Sequence, residues 1–283
     1  RARLMHIEKN IILKRNGQKP IVIDKFYNTG CNNQPIVVFC HGYKGFKDWG
    51  AWDIMAKQIA KAGFCFVKFN FSHNGGTVKS PIDFPDLEAF GNNNYIRELD
   101  DLGDIIDWIV KKFKGNAAVD IPKINLIGHS RGGGIAILKT SEDSRIKKLI
   151  TLASVCDFEK RTVTTGDLKQ WKKNGVKYVI NGRTKQKMPH FYQFYEDFIR
   201  NRERLNIKFA AKKINIPHLV IHGDTDTSVS ISEAKQICKW NPKSQLQIIE
   251  NADHVFNVKH PWKSQSLPKE FEKLISSTIQ FLK

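Results

Sequence analysis

Apolar residues along this chain fall into two kinds of pattern that alternate from end to end. Short apolar runs at 35–40, 123–127 and 218–223 read as buried strands, and 64–71, 146–153 and 245–250 read as further strands. Between them apolar positions recur every three or four residues, which predicts helices near 52–62 and from about 94 to 113. In the second of these Ile96, Leu99, Ile106, Ile109 and Phe113 share one face. Asp100, Asp101, Asp104 and Asp107 fall mostly on another and read as a solvated face rather than a metal site. Near the start, 6–13 and 20–26 flank Asn16-Gly17, the dipeptide that best accepts the positive φ angles of a tight hairpin turn. Strands alternating with helices predict an α/β fold with a doubly wound, mostly parallel sheet.

Candidate chemistry sits where the strand at 123–127 ends. Gly128-His129-Ser130-Arg131-Gly132 follows it directly and leads into the small-residue helix start Gly133-Gly134-Ile135-Ala136. G-x-S-x-G between a strand and a helix makes a sharp turn that lifts a serine hydroxyl clear of the sheet, and side chains at its glycines would collide with neighbouring backbone. The five-residue pattern alone is weak, since roughly one chain in ten of this length would carry it by chance. Its surroundings add weight. The strand at 35–40 ends in His41-Gly42-Tyr43, the strand at 218–223 is followed by Asp224 and Asp226, and the last strand leads through Asp253 to His254. Serine, acid, histidine is the chain order that a hydrolytic site of this type requires.

These segments together resemble the α/β-hydrolase superfamily, and within it the small bacterial capped esterases and serine aminopeptidase-like hydrolases. The resemblance runs from about residue 21 to 282. It implies an eight-stranded, mostly parallel sheet with helices on both faces and a short cap insertion. It also implies Ser130 as nucleophile and His254 as base. Asp226, three residues after Gly223, is the implied acid, leaving Asp224 to stabilise the loop. Backbone N–H groups of Tyr43 and Arg131 are the implied oxyanion donors. His222, inside a strand end, and His129, on the turn itself, read as structural.

The segment 155–213 is the expected cap, leaving 5–154 and 214–283 as the core, with Met5 taken as the start. It holds 15 lysines and arginines against 6 aspartates and glutamates, and it concentrates aromatic residues. Trp171, Phe191, Phe194 and Tyr195 are expected to line the substrate pocket, since such pockets are mostly apolar. A small hairpin is expected at 176–180 with Asn181-Gly182, and one helix over 191–211.

Composition narrows the function classes. With 283 residues, 41% of them hydrophobic, the chain can bury a substantial core and is not disordered. No apolar run approaches the eighteen or so residues of a membrane span, and no leader pattern opens the chain, so a cytoplasmic protein is expected. Cys31, Cys40, Cys65, Cys156 and Cys238 lack metal-ligand spacing and read as reduced. No metal and no organic cofactor is called for. The expected activity is hydrolysis of a small or aromatic acyl ester, with small-peptide or aryl-amide hydrolysis as the alternative. A formal charge of +18 could draw a substrate bearing a carboxylate. It also raises a different class of reading, a basic binding protein or scaffold. However, the lysines are spread along the chain without a nucleic-acid motif, so no specific nucleic-acid partner is expected. Oligomeric state is not given by the sequence.

Overall fold

The computed structural model describes residues 5–163 and 166–283. β1 (Met5–Arg15) and β2 (Gln18–Asn28) form the hairpin expected around Asn16-Gly17, with Gly17 at φ 69°. There follow β3 (Gln34–Cys40), α1 (Trp52–Lys61), β4 (Cys65–Phe69), α2 (Leu87–Gly91) and α3 (Tyr95–Lys112). β5 (Val119–His129), α4 (Arg131–Glu142) and β6 (Ile146–Leu152) form the centre of the fold. An insert then carries α5 (Phe158–Val163), α6 (Leu168–Asn174), β7 (Val176–Ile180), β8 (Lys187–Phe191), α7 (Gln193–Arg200) and α8 (Ile207–Lys213). The chain closes with β9 (His218–Gly223), α9 (Ile231–Trp240), β10 (Gln245–Ile249) and α10 (Lys269–Leu282).

Eight strands make one sheet in the order β1-β2-β4-β3-β5-β6-β9-β10. β2 pairs antiparallel with β1 and β4, and every pair from β4 to β10 is parallel. Strand alternation sorts the core into two layers. Ile36, Val38 and Cys40 of β3 meet the residues of α3, α4 and α9, whereas Val37 and Phe39 meet those of α1 and α10. A strand covered on both faces is mostly apolar, as β3 and β9 are, whereas the edge strand β10 exposes Leu246 and Ile248.

One feature of this core is ionic. Asp24, Lys47 and Lys68 are fully buried, and Lys68 Nζ donates to Asp24 Oδ2 at 2.7 Å and to the Lys47 carbonyl at 2.8 Å. Lys47 Nζ donates to Asp48 at 2.7 Å, and Lys9 adds contacts to Asp24, Asp48 and Asp53. Charges this deep persist only when paired. The network fixes the loop after β3 to β2 and β4.

Three local expectations need correction. Asp101 is not solvated: it accepts from Ser72 N at 2.7 Å and Arg15 Nη1 at 2.8 Å, so its place among acidic neighbours conceals a buried partner. The hairpin of β7 and β8 pairs Ile180 with Lys187 across a longer loop, because Asn181 Oδ1 accepts from Arg183 N and Thr184 N and opens it beyond two residues. The single helix expected over 191–211 is two, since Phe191 ends β8 and Asn206 starts a new helix by accepting from Phe209 N at 3.0 Å. Ile207, Ala210 and Ala211 of α8 lie in the main core, with Ile207 against Gly134 of α4.

Candidate active site

Ser130 occupies the turn between β5 and α4 with φ 57° and ψ −119°, a conformation that non-glycine residues adopt at a cost and that recurs at functional sites. The turn is packed too closely for a side chain at Gly128 or Gly132. A Cβ on Gly128 would strike the Gly132 carbonyl, and one on Gly132 would strike the carbonyls of Cys40 and His41. The Ser130 N–H donates to the Leu152 carbonyl at 2.9 Å, which ties the turn to the end of β6.

His254 comes from the loop after β10, and its Nε2 lies 3.0 Å from Ser130 Oγ. Its Nδ1 lies 2.8 Å from Asp226 Oδ2. Asp226 Oδ1 accepts from the N–H groups of Ser228 and Val229, both at 2.9 Å. Burial alone would raise the Asp226 carboxyl, but hydrogen bonds from His222, His254 and Val229 N outweigh it and hold the group far below the ordinary carboxylate range. It is therefore an ionised acceptor, and His254 Nδ1 carries the proton facing it. Of the other acids considered, Asp224 accepts from Asn251 N at 2.8 Å, and Asp253 accepts from Val255 N and Asn257 N. Both brace the loops, and neither of these bonds involves the histidine.

Three further histidines position this constellation. His129 Nε2 lies 2.9 Å from the His254 carbonyl, and burial pushes its imidazole down to about 3, so a neutral ring donates to the loop that carries His254. His222 Nε2 lies 2.8 Å from the Val229 carbonyl and 3.3 Å from Asp226 Oδ2, closing the acid loop on itself. His41 Nε2 accepts from Phe71 N at 3.0 Å, which leaves its Nδ1 to donate to the Gly42 carbonyl at 2.9 Å. Gly42 faces Ser130 so closely that a Cβ there would sit 3.0 Å from Ser130 Cβ. Among the described residues, the N–H groups of Tyr43 and Arg131 on either side of this contact find no backbone acceptor.

A cavity of about 450 Å³ opens over Ser130 and His254, with Tyr43, Tyr95, Phe158, Trp171, His190 and Phe194 among its lining residues. Trp171 and Phe194, two of the four aromatics expected there, do face it. Phe191 and Tyr195 do not. The Phe191 ring covers Gly91, where a Cβ would meet it at 2.8 Å, and Tyr195 stacks on Tyr192 at 5.4 Å, one helical step away from the inward-facing Phe194. Tyr95 and His190 were missed by sequence reasoning. Tyr95 begins α3 on the same face as Leu99, a spacing that could have been read, whereas a histidine in a two-stranded hairpin gives no such signal.

Comparison with known proteins agrees with this geometry. Residues 35–178 match the family described as alpha/beta hydrolase fold, and the chain belongs to that family. It is 23% identical to bovine (Bos taurus) monoacylglycerol lipase ABHD6, over 87% of this chain and 77% of that protein. It is 22% identical to non-heme chloroperoxidase CPO-A1 of Kitasatospora aureofaciens, over 92% and 96%. Among solved structures, Est1E from Butyrivibrio proteoclasticus with ferulic acid bound superposes with a TM-score of 0.71 at 17% identity, covering 96% of this chain and 97% of that one. The fold is thus common to proteins of different chemistry. Among the described residues no helix is long and apolar enough to cross a membrane.

Proposed function

We propose that this protein is a serine hydrolase that cleaves esters of small or aromatic acids through Ser130, His254 and Asp226. The supporting observation is the continuous relay from Asp226 Oδ2 through both His254 nitrogens to Ser130 Oγ, with steps of 2.8 and 3.0 Å, at the floor of an aromatic-lined cavity. In this reading Asp226 holds the imidazole in the tautomer whose Nε2 can accept a proton. His254 takes the Ser130 proton as Oγ attacks the ester carbonyl, and the oxyanion is held by the N–H groups of Tyr43 and Arg131. His254 then gives the proton to the leaving alcohol. Water, activated by the same imidazole, hydrolyses the acyl-enzyme and restores the serine. In this reading the segment 155–213 acts as a cap that supplies Trp171, His190 and Phe194 to the pocket wall.

The test is a turnover panel of nitrophenyl esters of increasing acyl length, hydroxycinnamate esters and aminoacyl nitroanilides. Ester turnover, best with short or aromatic acyl groups, is expected. Cleavage of nitroanilides alone would replace the esterase reading by a peptidase one.

A further inference from the structure

The residue after the nucleophile contributes more than a backbone N–H to the cavity. The Arg131 guanidinium lies 4.4 Å from the centre of the Tyr43 ring, 5.3 Å from Tyr95 and 5.4 Å from Phe194. Stacking on ring faces orients a guanidinium and leaves its in-plane N–H edges unspent. Among the described residues Arg131 makes no side-chain hydrogen bond and no ion pair, and it lines the cavity over Ser130. Lys44, Arg161 and Lys177 line the same cavity, Arg161 held by Glu233, and among the described residues no aspartate or glutamate does. Glu98 lines a small cavity with Arg131 but makes no ion pair with it, and burial lifts its carboxyl to about 7 against the opposing pull of Arg131. A half-buried guanidinium, pre-oriented beside Ser130 and without a directly paired carboxylate among the described residues, is suited to an anionic ligand group.

We propose that Arg131 binds a carboxylate of the substrate, making the preferred ester one with a negative charge on the part that lies against Tyr43, Tyr95 and Phe194. This rests on the hydrolase reading above and adds a specificity element to it. The planar fork favours a carboxylate held by two parallel N–H···O bonds, which a lysine could not reproduce. Displacing water from a site already walled by three rings increases the discrimination against a neutral isostere.

Two matched ester pairs test the proposal. 4-Nitrophenyl hydrogen glutarate against 4-nitrophenyl pentanoate places the charge on the acyl side, and 3-acetoxybenzoate against phenyl acetate places it on the alcohol side. The parent enzyme should favour the anionic member of one pair by roughly tenfold to a hundredfold in kcat/KM, and the responding pair identifies the side. Arg131→Met should abolish that ratio whatever its absolute rate, and Arg131→Lys should keep part of it. Equal rates within both pairs, or an undiminished ratio in Arg131→Met, would overturn the inference while leaving the hydrolase reading intact. If neither pair is turned over, the hydrolase reading fails. Carboxylate recognition is then read separately by calorimetric titration of Ser130→Ala with glutarate. Binding that Ser130→Ala/Arg131→Met lacks would sustain it, and absence of binding would end it.

Discussion

The Tyr43 hydroxyl lies 2.7 Å from His190 Nε2 and joins the loop that follows β3 to the β7–β8 hairpin. Burial pushes the His190 imidazole down to about 3, so the ring is neutral and the hydroxyl donates to it. Tyr43, whose N–H we propose as an oxyanion donor, therefore also tethers the loop after β3 to the β7–β8 hairpin. Tyr43→Phe keeps that N–H and removes the tether. It should lower unfolding stability by about 1 kcal/mol in denaturant titration and reduce kcat/KM only severalfold. A thousandfold loss of activity at unchanged stability would mean that the hydroxyl itself takes part in the chemistry.

Asp226 and Asp224 lie two residues apart in one loop and differ in what they touch. If Asp226 orients His254, Asp226→Asn should lose activity by a factor on the order of ten thousand, because the amide favours the wrong imidazole tautomer. Asp224→Asn replaces the charged acceptor for Asn251 N by a weaker neutral amide oxygen and should act mainly on the melting temperature. Initial rates and thermal midpoints of the two variants decide the matter. Parent-like rates for Asp226→Asn would move the acid elsewhere.

Much of this site could be read in the chain because the local geometry admits few residues. The strained turn at Ser130 needs its glycines, and the buried parallel strands need mostly apolar runs. What stayed hidden depends on pairing across long sequence distances. Asp101 finds Arg15 and Ser72, so a helix face that looked solvated is partly interior. Phe191 and Tyr195 have the same composition signal as Phe194, and only the strand end and the helical phase of α7 turn them away from the cavity. The tether from Tyr43 to His190 spans 147 residues and leaves no mark in either segment.

Glu98 should leave a signature in the pH dependence of stability. Burial lifts its carboxyl from 4.5 to about 7 against the opposing pull of Arg131 and a hydrogen bond from Asn93, with Asp101 adding to the rise. Between those pH values the native protein keeps a proton that the unfolded chain has lost. Stability therefore falls as pH rises from about 4.5 to about 7, by at most about 1.4 kcal/mol per unit from this group. Asp101, raised to about 6 mainly by burial, contributes a slope of the same sign at slightly lower pH. Glu98→Gln should flatten the curve of unfolding free energy between pH 5 and 7 by a measurable part (about half). An unchanged slope would mean that Glu98 titrates normally.

The buried ion network predicts an asymmetric response to mutation. Asp24→Asn leaves Lys47 and Lys68 in the core without their shared carboxylate and should destabilise by about 3 to 5 kcal/mol. Because Lys68 also bonds the Lys47 carbonyl in the loop after β3, activity should fall with the loop's order even below the melting temperature. Denaturant titration and kcat measured at several temperatures check both effects. A change below about 0.5 kcal/mol, the usual range of surface substitutions, would show that the network is not needed for stability.

The central claim is that Ser130 is the nucleophile. The most direct measurement is hydrolysis of a short-chain nitrophenyl ester by the parent protein and by Ser130→Ala, each checked for an unchanged thermal midpoint. The account predicts turnover by the parent, a mass increase equal to the acyl group on the peptide containing Ser130 when the reaction is quenched early, and a loss of several orders of magnitude in the variant. Undiminished turnover by a folded Ser130→Ala protein, or an acyl group found on another residue, would contradict it.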